Sequence, residues 1–310
     1  GLKPEVIDIQ GGVKRPPRWP RPHRVKERAI VKGLTERAVY KTRRPCVDWP
    51  WRASLDFGRK ETIEAKERVY RLAYATPLVE EAPLSRRFGG KVLSKLENLQ
   101  NTGSFKIRGA ANKLLSLDRN RVKGVITASA GNHARGVARA ASEANIPATL
   151  VMPLWAPVSK VTAAQREGGE FARIIQHGET FAEALQHAST LAAGCGLAMI
   201  HAYDDPMVIA GQGTIGLEIL EDCPEVDAVI APIGGGGLIA GIATAIAAEK
   251  PQVVIDGVQA YTYAAMSGAI SGFGGAIGGM TLAEGIAVKK PGALTRSICE
   301  ALLRHIHTVD

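Results

Sequence analysis

Residues 95–115 read KLENLQNTGSFKIRGAANKLL, and this stretch decides the fold. The run just before it, residues 91–97, alternates apolar and polar positions enough to predict a short strand, and residues 98–103 are turn-forming. Ser104 is expected to cap a helix whose apolar positions follow as Phe105, Ile107, Ala110, Ala111, Leu114 and Leu115. That spacing puts Lys106 and Arg108 in or near the first turn. A helix N-terminus carries partial positive charge and disfavours a cation by roughly 0.3–1 kcal/mol. The position therefore suits a lysine that works as a neutral amine, either a Schiff-base former or a proton acceptor. A solvated lysine at a helix start is the plain alternative.

Composition narrows the field. The chain has 310 residues and a net charge of +9, which resembles a nucleic-acid signal until the charge is located. Residues 1–60 hold 16 Lys and Arg against 6 Asp and Glu, whereas residues 61–310 hold 23 against 24. The basic character thus belongs to the head, which is rich in proline and arginine and contains Trp19, Trp49 and Trp51. Little regular structure is expected there. A nucleic-acid arm is one reading of residues 1–60, a transit peptide is opposed by the prolines and the missing serine enrichment, and an extension without a catalytic part is favoured.

Cys46, Cys195, Cys223 and Cys299 show no paired spacing, so a reduced, cytoplasmic protein is expected. Residues 228–248 form 21 positions without a charge, long enough to span a bilayer. Pro232 and four glycines interrupt them, so a buried strand, a glycine loop and a buried helix are expected instead, with no membrane contact.

Four further motifs follow the lysine segment. A β-branched run at 122–128 leads into SAGNHARG at 129–136 and an alanine-rich helix over 137–144. Free backbone N–H groups at such a helix start suit an anion such as a carboxylate; a simple cap is the alternative. Strand and helix patterns then alternate to about residue 193, which implies a parallel sheet with helices on its faces. After the loop HAYDDP at 201–206, a helix carries Glu218 and Asp222 at i and i+4, where they could share a cation or form a solvated face. The apolar strand 228–233 precedes Gly234, Gly235, Gly236 and Gly237 and a helix from Leu238 to about 248. Such a loop lets a phosphate approach the backbone, and its spacing fits neither dinucleotide nor nucleoside-triphosphate sites. Residues 268–280 hold six glycines and read as a flexible loop, followed by TLAEGIAV at 281–288, a helix over 291–305 and the start of a strand at 307–310.

TGSFKIRGA, SAGNHARG, HAYDDP, the glycine tetrad and TLAEGIAV resemble, in order, the motifs of the fold-type II pyridoxal-phosphate enzymes. The likeness is strongest to threonine dehydratases (threonine ammonia-lyases) and their serine dehydratase and serine racemase relatives, and it runs from about residue 68 to 310. It implies an α/β fold similar to the tryptophan synthase β chain, with two parallel-sheet domains and the cofactor, pyridoxal 5'-phosphate, between them. Residues 61–121 and 200–310 would form the large domain and 122–199 the small one, with 1–60 outside the likeness. By resemblance Lys106 holds the cofactor aldehyde as a Schiff base, Phe105 packs beside the ring and Asn132 meets its phenolic oxygen. Ser129, Ala130, Gly131, Asn132 and His133 hold the substrate carboxylate. Gly234, Gly235, Gly236, Gly237 and Leu238 take the phosphate, Glu284 lies near the ring, and no residue is assigned to a metal.

The reaction so implied is β-elimination of L-threonine, and of L-serine, to 2-oxobutanoate or pyruvate and ammonia, in a homo-oligomer (dimer or tetramer). Racemase relatives carry a serine where this chain has Ala130, which favours elimination. A cofactor-binding protein with little turnover, a racemase-like enzyme and a nucleic-acid binder are the alternatives. In the family a further stretch follows the position of Asp310 and supplies a hydroxyl or thiol to the pyridine nitrogen. No residue here takes that role, so an incomplete last strand, low stability and a tendency to associate are expected.

Overall fold

The computed structural model describes residues 52–310, with side chains from Lys60 onward. The expectations for residues 1–51, the basic clusters and Cys46 among them, lie outside the described residues. Helix α1 (Arg52–Val69) already occupies the last part of the expected unstructured head. It buries Thr62, Ala65 and Val69 while keeping Lys60 and Glu64 outside.

Strand β1 (Leu78–Glu80), helix α2 (Ala82–Phe88) and strand β2 (Leu93–Lys95) form a small antiparallel hairpin-like unit. The strand expected at 91–97 is thus only three residues long, and a 3-10 turn at Glu97–Leu99 ends it. Helix α3 (Lys106–Leu115) follows. Its cap differs from expectation: Phe105 takes the N-cap position without a side-chain bond, and the buried Ser104 hydroxyl has no partner among the described residues.

The next stretch builds a parallel four-stranded sheet in the order β5-β4-β3-β6. Its strands are β3 (Gly124–Ala128), β4 (Ala148–Met152), β5 (Ala172–Gln176) and β6 (Leu197–Met199), joined by helices α4 (Asn132–Ala144), α5 (Val158–Gly168) and α6 (Phe181–Cys195). Successive side chains of a strand point to opposite faces, and both faces of this sheet are covered. Val125, Leu150 and Met152 join the core beneath α3, α4 and α5, whereas Ile126, Ala128 and Val151 meet Ala184 and Ala188 of α6. Helix α4 begins five residues before the expected start at 137, because Gly131 turns the chain directly into Asn132.

Helix α7 (Pro206–Asp222) leads into the second parallel sheet, β7-β8-β9, built from β7 (Ala228–Pro232), β8 (Val254–Ala260) and β9 (His305–Val309). Helix α8 (Gly237–Glu249) follows β7, and α9 (Ala265–Ser271) and α10 (Ala293–Leu302) follow β8. Three expectations are corrected here. β7 is not buried on both faces: Val229 and Ala231 are buried, but Ile230 is 68% exposed. The last strand is not merely begun, since five residues of β9 pair in register with β8, from Asp256↔His305 to Ala260↔Val309. The stretch expected as a loop at 268–280 also starts inside α9. Among the described residues no helix is long and apolar enough to cross a membrane.

Three helices meet at backbone contact. A Cβ on Gly211 of α7 would lie 2.6 Å from the Arg108 carbonyl of α3, and one on Gly241 of α8 would lie 2.4 Å from the Ile209 carbonyl of α7. Only glycine permits such approaches, so α3 sits deep between α7 and α4, with Ile107, Ala110 and Leu114 in the core.

Candidate active site

Lys106 opens α3, and its Nζ donates to the Ala202 carbonyl at 2.7 Å. Helix α4 closes over its backbone, since a Cβ on Gly136 would lie 3.0 Å from the Lys106 carbonyl carbon. Lys106 is half-buried, and burial lowers its pKa to about 8. The neutral amine expected from the helix terminus is therefore more populated than in an ordinary lysine, and the cause is desolvation. The Phe105 ring centre lies 5.2 Å from Nζ.

Two histidines stand near this lysine. His133, at the second position of α4, is 3% exposed. Its Nε2 lies 3.0 Å from the Ile200 carbonyl, to which the Thr127 hydroxyl also donates at 2.8 Å. A carbonyl only accepts, so the ring proton sits on Nε2, and buried Nδ1 has no partner among the described residues. Burial first, and then the charge of Lys106, push the His133 pKa down to about 3. His201 is likewise lowered, mainly by burial, with Lys106 adding to it and Asp204 and Asp205 opposing it. Both rings stay neutral beside the lysine.

The loop after β6 joins the lysine to the glycine tetrad. His201 Nδ1 accepts from the backbone N–H groups of Tyr203 (3.2 Å) and Asp204 (2.8 Å), which curls the loop. Tyr203 then lies against the tetrad. A Cβ on Gly235 would be 2.3 Å from its ring and one on Gly237 would be 2.8 Å from its Cβ, while its hydroxyl donates to the Lys290 carbonyl at 3.0 Å. Asp204 caps α10 through Ala293 N (2.9 Å) and Thr295 N (3.0 Å), and the Thr295 hydroxyl donates to the Gly235 carbonyl at 2.7 Å. Asp205 caps α7 through Met207 N and Val208 N and pairs with Lys113 at 2.7 Å.

Gly236 is the N-cap of α8 with φ +98°, a conformation that glycine adopts freely. The N–H groups of Gly237, Leu238 and Ile239 open the helix, where intrahelical partners are absent, and helix charge favours an anion there. Gly235, Gly236 and Gly237 are buried, and Leu238 packs on the second core. Gly234 touches the segment after Glu284, with Ile286 Cα 3.0 Å from where a Cβ would be.

The other expected residues lie less close together. Ser129 accepts from Gly131 N at 3.2 Å, Ala130 packs on the first core, and Asn132 is exposed at the start of α4. The Glu284 carboxylate, 76% exposed, accepts from Lys160 Nζ at 3.0 Å. Sequence reasoning gave Ala202, Tyr203, Asp204 and Thr295 no part, although Asp205-Pro206 carried the signature of an acidic N-cap followed by proline.

Beneath the lysine lies a buried ion network that was also missed. Arg108, fully buried, donates to Glu97 (2.8 and 2.7 Å), to Thr214 (3.1 Å) and to both oxygens of Glu218. Glu218 is 2% exposed, which overturns the reading of a solvated face. Among the described residues no group of three or more His, Cys, Asp and Glu is arranged to hold a metal.

Comparison with known proteins places these features in a family. A family model described as pyridoxal-phosphate dependent enzyme matches residues 69–310. The L-threonine ammonia-lyase of Thermotoga maritima is 48% identical over 235 residues, covering 75% of this chain and 58% of that protein. The catabolic L-threonine dehydratase TdcB of Escherichia coli is 45% identical over 255 residues, covering 81% and 76%. Among solved structures, the processed form of threonine deaminase isoform 2 from Solanum lycopersicum superposes with TM-score 0.77 at 40% identity, covering 83% of this chain and 70% of that one. Maize serine racemase gives TM-score 0.77 at 33% identity, covering 81% and 76%. The chain thus spans 58% of the length of its Thermotoga relative.

Proposed function

This chain belongs to the pyridoxal-phosphate dependent enzymes, and from that premise we propose that it is a threonine ammonia-lyase, acting on L-threonine and also on L-serine. The residues present fit the family's cofactor. A lysine whose pKa is lowered to about 8 suits an aldehyde, and a glycine-lined helix start suits a phosphate. Lys106 would hold the aldehyde, Gly234, Gly235, Gly236, Gly237 and Leu238 the phosphate, and Phe105, Asn132 and Glu284 the ring. Bound there, the cofactor supplies an electron sink for the pair left when the substrate Cα proton departs.

The chain's own part is proton handling. With a pKa of about 8, roughly one Lys106 in ten is neutral at pH 7, against ~0.03% of ordinary lysines. Nζ can thus accept the Cα proton, and the Ala202 carbonyl holds the resulting ammonium. His133 and His201 carry no charge to compete for it. Ser129 and the amides from Ala130 to His133 orient the substrate carboxylate at the start of α4. Ala130 ends in a methyl group and moves no proton, which favours elimination over racemisation. The observation that carries the proposal is the desolvated Lys106 amine, tied to the loop that packs on the glycine tetrad.

We further assign residues 61–121 and 200–310 to a large domain and 122–199 to a small one, in line with the two parallel sheets. The free thiols of Cys195, Cys223 and Cys299 support a cytoplasmic setting, and a homo-oligomer is proposed. Ammonia release from L-threonine and L-serine by the cofactor-loaded protein tests the activity. Release from both supports it, and release from neither refutes it.

A further inference from the structure

The carbonyl of Ile200, the residue after β6, is gripped by two donors. Thr127 of β3 gives it a hydroxyl at 2.8 Å and His133 of α4 gives it Nε2–H at 3.0 Å, while the Ile200 N–H donates to the Ile126 carbonyl at 2.8 Å. Just beyond, the Ala202 carbonyl receives Lys106 Nζ at 2.7 Å. We propose that His133 is a positioning residue for Lys106: by holding Ile200 it fixes the loop that carries the Ala202 carbonyl to the lysine.

The tautomer suits this task. A carbonyl only accepts, so Nε2 carries the ring proton, and buried Nδ1 has no partner among the described residues. An unpaired buried acceptor is costly, and a leucine in the same place would avoid that cost. What the imidazole offers in return is the Nε2–H donor. Burial, and then the charge of Lys106, hold its pKa down at about 3. Over the range in which the lysine titrates, the ring is thus a fixed donor that adds no charge.

The loop passes the position on. His201 Nδ1 accepts from Tyr203 N at 3.2 Å and Asp204 N at 2.8 Å, so residues 201–204 form one curl hung from Ile200. The other ionisable groups around it are engaged elsewhere. His201 has its own pKa lowered by burial, Asp204 caps α10, Asp205 caps α7 and pairs with Lys113, and Arg108 of α3 is bound to Glu97 and Glu218. What sets the lysine is burial, and burial depends on where the curl sits. His133 also stands in the α4 start that orients the substrate carboxylate, so one side chain joins that loop to the proton acceptor; this link rests on the reaction proposed above.

The test reads Lys106 in the full chain before cofactor loading, so its failure is distinct from a failure of the proposed reaction. Acetic anhydride labels neutral amines, and the pH dependence of labelling, mapped by mass spectrometry, gives each lysine an apparent pKa, with exposed Lys60 as internal reference. Lys106 of the natural chain should titrate near 8. His133→Leu leaves Ile200 on Thr127 alone, loosens the curl and admits water. Its Lys106 pKa should rise by about one unit or more towards 10.5, a tenfold or greater loss of neutral amine at pH 7. His133→Gln, whose amide N–H lies as many bonds from the backbone as Nε2, should keep the natural value. His133→Asn, one bond shorter, should behave as leucine does. A merely structural role would lower the melting temperature of all three and leave the labelling of the folded chains alike. An unchanged Lys106 in His133→Leu overturns the proposal, as does a shift in His133→Gln as large as leucine's. Should His133→Leu not fold, His133→Asn is read against His133→Gln, and equal values overturn it.

Discussion

Replacing Gly235 by alanine isolates the contact that joins the lysine loop to the glycine tetrad. A Cβ there would lie 2.3 Å from Tyr203 Cδ1 and 2.4 Å from Cε1 and Cγ, against an ordinary contact of 3.4 Å or more. Gly235 has no positive φ, so the cost is steric rather than conformational. The ring cannot swing away freely, because its hydroxyl donates to Lys290 O at 3.0 Å and its backbone N–H is held by His201. Overpacking of this kind costs about 1–3 kcal/mol, and a strained hydrogen bond adds about 1. At about 2–4 °C per kcal/mol for a domain of this size, the melting temperature should fall by roughly 4–16 °C. Cofactor affinity should fall with it, since the N–H groups that follow Gly235 are displaced. A double-mutant cycle by urea melts with Tyr203→Ala gives the decisive reading: removing the ring should relieve the clash, with a coupling of about 1 kcal/mol or more. Additivity within about 0.5 kcal/mol would refute the reasoning.

Three further outcomes are expected. Lys106→Met should raise stability at pH 7, because the buried ammonium has a folded-state pKa of about 8 against 10.5. The unfolded chain binds the extra proton between those values, so natural-chain stability climbs with pH over that window and the gain from methionine should shrink there; a gain unchanged from pH 7 to 10.5 contradicts the desolvation. Ala130→Ser should introduce some racemisation of L-serine beside elimination, read by chiral chromatography; no trace of D-serine would mean that Ala130 does not set the reaction type. Asp205→Ala removes the α7 cap and the Lys113 pair and should cost about 1–2 kcal/mol in thermal melts; a change below about 0.3 kcal/mol would show the cap to be replaced by solvent.

Elements with clear periodicity could be read directly from the sequence. The lysine helix, the alternation of strands and helices and the glycine tetrad before an apolar helix all stand close to their expected positions, because local pattern and tertiary burial agree there. The misses arose where distant residues decide. Ser104 resembles a cap, but the turn before it closes on Phe105 and leaves the hydroxyl buried. Leu197–Met199 is too short a strand to show alternation, and only its pairing with β3 defines it. Glu218 reads as a surface residue, since its partner Arg108 lies 110 positions away in the chain. The role of Ala202 was illegible for the same reason: a backbone carbonyl carries no residue signature, and 96 positions separate it from Lys106.

The central claim is that Lys106 is the residue that takes the cofactor aldehyde. Loading the protein with pyridoxal 5'-phosphate, reducing it with borohydride and mapping the modified peptide by mass spectrometry tests this most directly. The account predicts one adduct, on Lys106, and none in Lys106→Ala. An adduct on another lysine, or an equal yield from the variant, would contradict it.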